Sequence, residues 1–421
     1  MTSRRRLHSA PAAPLDGEDL LCQILVRIPP LPSSLPRAGA VSKLWARVAA
    51  DPGFRRRFLA HHRKPPVLGV FEKLGQDLVF SPILDPPDRI PPGRFSLCPE
   101  QEASFTHWTL LGCRHGRVLA IGSFSRHATL LVFDPVSRGR SYVPVPMDFR
   151  FNLCNVRGTV LCAAGNGEGH VHGDCHSGPF KVVLLGTRSR QEPAMACVYS
   201  SETGVWGPLV STAEPCGAPV SRFPCTLIGS ALYWWLNDSE DAMLEFDLDA
   251  QRLAVVRRPI FAGIGSSCIR IIRAEGGGVG FAVLVYPSFQ LWGRKFSSDG
   301  VATWMLQRIV NMHEVIGLPS GIETRNEAIV GYSEDADVVL ISVSTKQEHS
   351  TKHQHSAFIV QLDSMQSREL SRSFLEHSYH PFAYFYTADE VACWVLGFWT
   401  EIQILKPCLG TLDFFPLELT P

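Results

Sequence analysis

The residues best suited to chemistry are grouped in one glycine-rich stretch, GNGEGHVHGDCHSG, at 165–178. Its metal-ligand types are His170, His172, Cys175 and His176. Their spacing is not that of a zinc finger, and the surrounding glycines provide no rigid scaffold. We therefore predict a protruding loop between two strands and no metal site. The same prediction holds for a second polar insertion at 345–356, whose histidines are His349, His353 and His355.

Catalytic patterns are not recognisable elsewhere. The glycine-rich run at 276–280 lacks the Gly-Lys-Ser/Thr of a phosphate-binding loop, so we expect a hairpin turn there. The sequence contains neither Gly-x-Ser-x-Gly nor His-Glu-x-x-His. The acidic groups Glu240-Asp241 and Glu334-Asp335-Asp337 fall in predicted turns, where we expect solvated carboxylates. We therefore expect no catalytic residues, no cofactor and no metal, and we expect that the chain is not an enzyme.

Composition limits the possible partners and compartments. Lys+Arg and Asp+Glu both number 40, so the net charge is zero, which argues against nucleic acid or an anionic membrane as the main partner. No apolar run reaches the ~18 residues of a membrane span. Twelve cysteines are scattered without a Cys-x-x-Cys pair, and several lie in apolar strand-like runs. This pattern is typical of buried thiols in a reducing compartment, and we expect a cytoplasmic or nuclear protein.

The elements that must position these residues are mostly strands. From about Phe105 onward, short β-rich runs alternate with turn residues, and a unit of about 45 residues recurs. One strand pair of the unit recurs at 130–146, 196–209, 243–259, 289–307 and 357–371. An earlier pair recurs at 112–122, 155–165 and 227–237.

Two hairpins in each unit predict four-stranded blades, and hence a β-propeller of six to eight blades. We count six units, the last at 380–419. A strand at 67–71 or 77–80 completes a blade and closes the ring, or adds a seventh unit. A β-sandwich or an irregular barrel is the alternative architecture.

The N-terminal stretch at 15–62 is different and predicts three short helices. Asp16 is suited to cap the first helix, whose apolar residues from Leu20 to Ile28 lie on one face. Pro29 ends this helix. Ser33 or Ser34 begins the second helix, and Asp51 with Pro52 begins the third. These helices carry more apolar surface than so small a unit can hide, which predicts either that the unit docks on the rest of the chain or that part of this surface binds a partner.

The same stretch resembles an F-box. The residues that match that family are Leu15, Leu20, Leu21, Ile24, Leu25, Ile28, Pro29, Leu35, Arg37, Val41, Lys43, Trp45, Pro52 and Phe54. Two positions depart from the pattern, because Asp16 follows Leu15 where the family usually has proline, and Ser42 stands where many members have cysteine. An F-box followed by a long β-rich region is similar to plant F-box proteins with an F-box-associated propeller.

This resemblance implies a substrate-recognition subunit of a Skp-cullin-F-box (SCF) ubiquitin ligase. The helices would bind the Skp-type adaptor, and the propeller would recruit a target protein for ubiquitination. The implied adaptor-binding residues are Leu15, Leu20, Leu21, Ile24, Leu25, Ile28, Pro29, Leu35, Val41, Lys43 and Trp45. The alternative function is a propeller-type carbohydrate-binding protein or hydrolase with a helical cap.

These interpretations divide the chain into four parts. Residues 1–14 are expected to be a disordered tail, because they combine three arginines with small residues and no apolar core. The F-box occupies 15–62, a stiff linker containing Pro65 and Pro66 occupies 63–66, and the propeller occupies 67–421.

Overall fold

A computed structural model describes the chain at 17–74, 77–95, 97, 107–124, 127–150, 153–164, 172, 175, 178–237, 239, 241–296, 302–317, 324–346, 353–370 and 379–385. The predicted tail, Leu15, His170, His176, His349 and the sixth repeat beyond Phe385 lie outside these residues. The chain divides into two compact units. One contains the residues up to Arg63 and those from Phe385 onward, and the other is Lys64–Tyr384. No helix in the described ranges has the length and apolarity to span a membrane.

The first unit is helical between Glu18 and His62. Its helices are α1 (Glu18–Leu25), α2 (Ser34–Gly39), α3 (Lys43–Ala50) and α4 (Pro52–His62). The sequence-based prediction of three helices is wrong on this point, because the middle helix is interrupted at 40–42. Ser42 is extended, and its hydroxyl accepts a hydrogen bond from the Trp45 amide at 3.3 Å, which begins a new helix.

The small core of this unit is built from one face of each helix. Asp51 caps α4 as predicted, accepting a hydrogen bond from the Phe54 amide at 2.7 Å. The buried core residues are Leu21, Leu25, Leu35, Val48, Ala49, Phe54 and Phe58. A core of this size provides only marginal stability by itself.

The second unit consists of antiparallel strands. The first hairpin is β1 (Val67–Leu74) and β2 (Asp77–Pro82), and five sheets follow it in chain order. Blade 1 contains β3 (His107–Arg114), β4 (Arg117–Phe124), β5 (His127–Phe133) and β6 (Arg140–Pro144). Blade 2 contains β7 (Val156–Cys162), β8 (Phe180–Gly186), β9 (Pro193–Ser200), β10 (Val205–Trp206) and β11 (Val210–Pro215).

The remaining sheets repeat this order. Blade 3 contains β12 (Thr226–Ile228), β13 (Ala231–Trp235), β14 (Ala242–Asp247) and β15 (Arg252–Arg257). Blade 4 contains β16 (Ile269–Arg273), β17 (Val279–Val285), β18 (Ser288–Phe296) and β19 (Ala302–Asn311), followed by α5 (Met312–Ile316). Blade 5 contains β20 (Thr324–Ser333), β21 (Val338–Lys346), β22 (His353–Gln361) and β23 (Ser367–Leu370).

The ring closes through a sixth blade made from both ends of the unit. The last described strand, β24 (His380–Ala383), pairs with β1, which pairs with β2. Phe71 lies opposite both His380 on β24 and Phe80 on β2. The second unit is therefore a six-bladed β-propeller, which confirms the propeller part of the predicted fold and reduces the predicted six to eight blades to six.

The predicted repeats coincide with the blades. The five longer repeats contain the third and fourth strands of blades 1 to 5, and the earlier pairs contain first and second strands or part of them. Gly276 and Gly277, with φ of 91° and 86°, form the expected turn between β16 and β17. The second polar insertion is shorter than predicted, because His353 and His355 belong to β22 and pair with β21.

From blade 1 to blade 6, successive blades pack together through hydrophobic clusters. One cluster, for example, joins Leu130 of blade 1 to Val182 of blade 2, and another joins Leu244 of blade 3 to Val183 of blade 2. First strands of neighbouring blades meet, as in the contacts of β3 with β7 and of β24 with β20. These first strands therefore line the axis of the propeller.

Residues 64–66 of the predicted linker are part of the propeller unit. The Lys64 ammonium lies 2.9 Å from a carboxylate oxygen of Asp337 and 2.8 Å from one of Asp363. The Tyr384 amide donates a hydrogen bond to the Pro66 carbonyl at 3.1 Å. These contacts hold residues 64–66 against blades 5 and 6.

Candidate functional site

The F-box-like residues fall into an exposed set and a buried set. Leu20 and Ile24 are 42% and 37% exposed and lie one turn apart on α1, and Val41 between α2 and α3 is 64% exposed. Pro29 and Lys43 are also exposed. Four of these exposed side chains are apolar, and Lys43 is charged.

The buried set holds the helices together. Leu21 and Leu25 are 0% exposed and Leu35 is 2% exposed, and all three belong to the helical core. Ile28 and Trp45 are half-buried and pack against that core. Of the F-box-like residues, only the exposed set is therefore accessible at the surface of the helices, and the three leucines belong to the core beneath it.

In the propeller, Arg114 at the end of β3 connects four blades. Its guanidinium donates to the Glu334 carboxylate just after β20, to the Thr159 hydroxyl on β7, and to the Cys225 carbonyl at 2.9 Å just before β12. The side chains of Arg114 and Glu334 are 4% and 9% exposed. Burial acts to lower the pKa of Arg114, but the charge of Glu334, together with contributions from Cys225 and Asp335, outweighs it, so the pKa is raised.

The acidic turn after β20 is only partly solvated. The prediction of a solvated carboxylate is wrong for Glu334, because its side chain is 9% exposed and pairs with Arg114. The side chain of Asp335 is 18% exposed. Burial, followed by the neighbouring charge of Glu334, raises the pKa of Asp335 to about 6, although His172 and Arg114 act to lower it.

Next to this turn lies a group of histidines and cysteines. The rings of His115 and His172 are stacked, with centroids 3.5 Å apart and planes at 7°. His115 Nε2 lies 4.0 Å from Asp335 Oδ1, and His115 Nδ1 accepts a hydrogen bond from the Cys162 amide at 3.0 Å. His172 Nδ1 lies 3.7 Å from Cys175 Sγ. The described part of the first insertion thus returns to the end of β7.

Arg117 holds the insertion against blade 1. It is 2% exposed, and it donates hydrogen bonds to the Cys175 carbonyl at 2.7 Å and the Gly178 carbonyl at 2.5 Å. Its guanidinium lies over the Phe180 ring at 5.6 Å. The prediction of a protruding loop is therefore wrong for Cys175, which is 8% exposed.

Sequence reasoning treated Cys162 as a small buried hydrophobe and missed its place in this group. It lies thirteen positions before Cys175 along the chain, and only the fold of the insertion shows their proximity. A usable signal was present: Cys162 is the last residue of a strand that leads into the insertion containing His172 and Cys175.

A pocket lies where blades 3, 4 and 5 meet. It is lined by Phe223, Thr226, Trp235, Arg270 and Tyr332, among others. Arg270 is 7% exposed, and its guanidinium lies 3.3 Å from the centre of the Phe223 ring. Within the described part of the chain, its hydrogen bonds go only to backbone carbonyls, those of Ser266 and Ile269. Burial lowers its pKa to about 9. A buried cation of this kind favours an anionic ligand.

No protein-family model and no curated protein matches this sequence. Among solved structures, the chain is similar to a protein from Lactobacillus plantarum, at 12% identity and a TM-score of 0.37, covering 74% of this chain and 82% of that one. It is also similar to the fungal lectin of Aleuria aurantia, described as a six-bladed β-propeller, at 12% identity and a TM-score of 0.34, covering 75% and 90%. Similarity this distant gives no information about function.

Proposed function

We propose that this protein is the substrate-recognition subunit of an SCF-type ubiquitin ligase. The helical unit binds the Skp-type adaptor, and the propeller binds the target protein. Catalysis then belongs to other subunits, and this chain contributes proximity by holding the target near the charged ubiquitin carrier.

The observation that carries this proposal is the exposure of three large apolar side chains of the helical unit, Leu20, Ile24 and Val41. The three residues occupy F-box positions in the sequence. Large side chains that remain exposed beside a complete core are available to a partner and contribute little to folding. The neighbouring Lys43 supplies a charged edge, as is usual at the rim of an interface.

The propeller supports the second half of the proposal. Arg270 is buried in a pocket that also contains Phe223 and Trp235, and the described residues provide no carboxylate for it. An acidic side chain of a target would neutralise this charge, and aromatic residues with arginine are typical of binding hot spots.

The test is adaptor binding by a chain with Leu20→Glu and Ile24→Glu. Burying two unpaired charges in an apolar contact costs several kcal/mol, so we expect affinity for a purified Skp-type adaptor to fall ~100-fold or more. Titration calorimetry on the full chain measures this directly.

Arg56→Glu on α4 is the matched control. Arg56 is exposed, lies outside the F-box-like set, and its replacement changes the net charge by the same amount as the two glutamates. The control should bind as the wild type does. Undiminished binding by the double variant, or no binding by the wild type to any Skp-type adaptor tested, would contradict the proposal.

A further inference from the structure

We propose that Cys162, His172 and Cys175 bind a zinc ion that fixes the 165–178 insertion to the propeller. This site is independent of the proposed ligase function. It needs neither the helical unit nor a target protein.

The ligand atoms are already close to the required geometry. One donor atom from each of the three residues lies within 4.8 Å of the other two. In a tetrahedral zinc site, bonds of about 2.3 Å to sulfur and 2.0–2.1 Å to nitrogen place these two donors about 3.6 Å apart. His172 Nδ1 and Cys175 Sγ are 3.7 Å apart.

The surroundings hold each of the three residues in place. His115 accepts a hydrogen bond from the amide of Cys162 and stacks on the ring of His172. Arg117 fixes the backbone at Cys175 through the carbonyl of that residue. Zinc ligands are typically oriented by second contacts of this kind.

The donor set selects the class of metal. Two thiolates and one imidazole are ligands that zinc prefers, whereas calcium and magnesium require oxygen. Two thiolates also balance the charge of Zn²⁺. Three protein ligands leave one coordination position for water, and a metal here would offset the ordering entropy of a glycine-rich loop.

The experiment measures zinc in the full chain, purified without chelator and dialysed against metal-free buffer. We expect one zinc per chain in the wild type. The variants Cys162→Ser, Cys175→Ser and His172→Gln should each lose most of it. Cys154→Ser is the control, because Cys154 is exposed in the segment before β7 and lies outside the cluster, and it should retain full zinc.

Two further measurements remain informative if a variant folds poorly. Chelator should lower the melting temperature of the wild type and of Cys154→Ser. Cobalt added to the chelated wild-type protein should give thiolate charge-transfer absorption and tetrahedral d–d bands. Substoichiometric zinc with no chelator effect and no cobalt spectrum would overturn the proposal, as would unchanged zinc content in the three ligand variants.

Discussion

At the scale of the residue, the pair of Arg114 and Glu334 has the largest predicted effect on stability. Both charges are removed from water, and Arg114 also satisfies groups of blades 2 and 3. Removing one charge of a buried pair leaves the other uncompensated, which is far more costly than losing a surface ion pair.

We therefore expect Glu334→Gln to reduce the free energy of unfolding by about 3–5 kcal/mol. The control is Asp241→Asn, which breaks an ion pair with Arg257 whose side chains are 38% and 78% exposed, and which should cost about 0–1 kcal/mol. Urea denaturation of both variants decides the matter. Equal losses of unfolding free energy in the two variants would show that the buried pair of Arg114 and Glu334 stabilises the fold no more than an exposed ion pair does.

The sequence could not show these residue contacts. Arg114 and Glu334 are 220 positions apart, and a carboxylate in a polar turn is indistinguishable from a solvated one until its partner is known. The same holds for Cys162, whose apolar neighbours on β7 hide its polar contacts. Local sequence patterns identify the chemistry of a side chain. Contacts between side chains of different blades depend on the closed propeller and cannot be read from such patterns.

At the scale of the element, β24 combines a structural role with sensitivity to acid. His380 on this strand is 4% exposed, and burial lowers its pKa to about 3. Below pH 6.5 the unfolded chain gains a proton that the folded chain excludes, so stability falls as the pH decreases.

Through this residue, lowering the pH from 7 to 5 should cost about 2 kcal/mol. In His380→Leu this part of the acid sensitivity should be absent, although other groups still titrate. The measurement is the free energy of unfolding of both proteins at the two pH values. The same loss in wild type and variant would show that His380 is not the origin.

Strands and their order were more predictable than the helices. Apolar alternation and turn residues recur in each blade because every blade buries the same kind of surface. The middle helix was predicted whole because Val41, Leu44 and Trp45 continue one apolar stripe. The helix is interrupted at Ser42. The hydroxyl of this residue accepts a hydrogen bond from the Trp45 amide, which takes the place of a backbone hydrogen bond within a continuous helix.

At the scale of the whole molecule, the two units should differ in autonomy. The propeller has large cores between its blades, whereas the helical unit has only a small one. We expect a fragment of residues 64–421 to melt cooperatively, and a fragment of residues 1–63 to be weakly helical alone and to gain helix with its adaptor.

The residue at which the propeller fragment begins should affect its stability. A fragment that begins at Val67 loses the contacts of Lys64 with Asp337 and Asp363 and should be about 1 kcal/mol less stable than one that begins at Lys64. Lys64→Met in the longer fragment is the control and should reproduce most of the difference. Circular dichroism melts test this, and a cooperatively folded 1–63 would count against a partner-dependent helical unit.

The closure of blade 6 also determines when this protein can fold during synthesis. The edge of β1 emerges early from the ribosome, but its partner β24 follows roughly 300 residues later. At a synthesis rate of about 5–20 residues per second, β1 remains without its partner β24 for about 15–60 seconds. Such an edge can pair with other chains, so we expect aggregation during synthesis to decrease when chaperones cover this strand until the end of the propeller has left the ribosome.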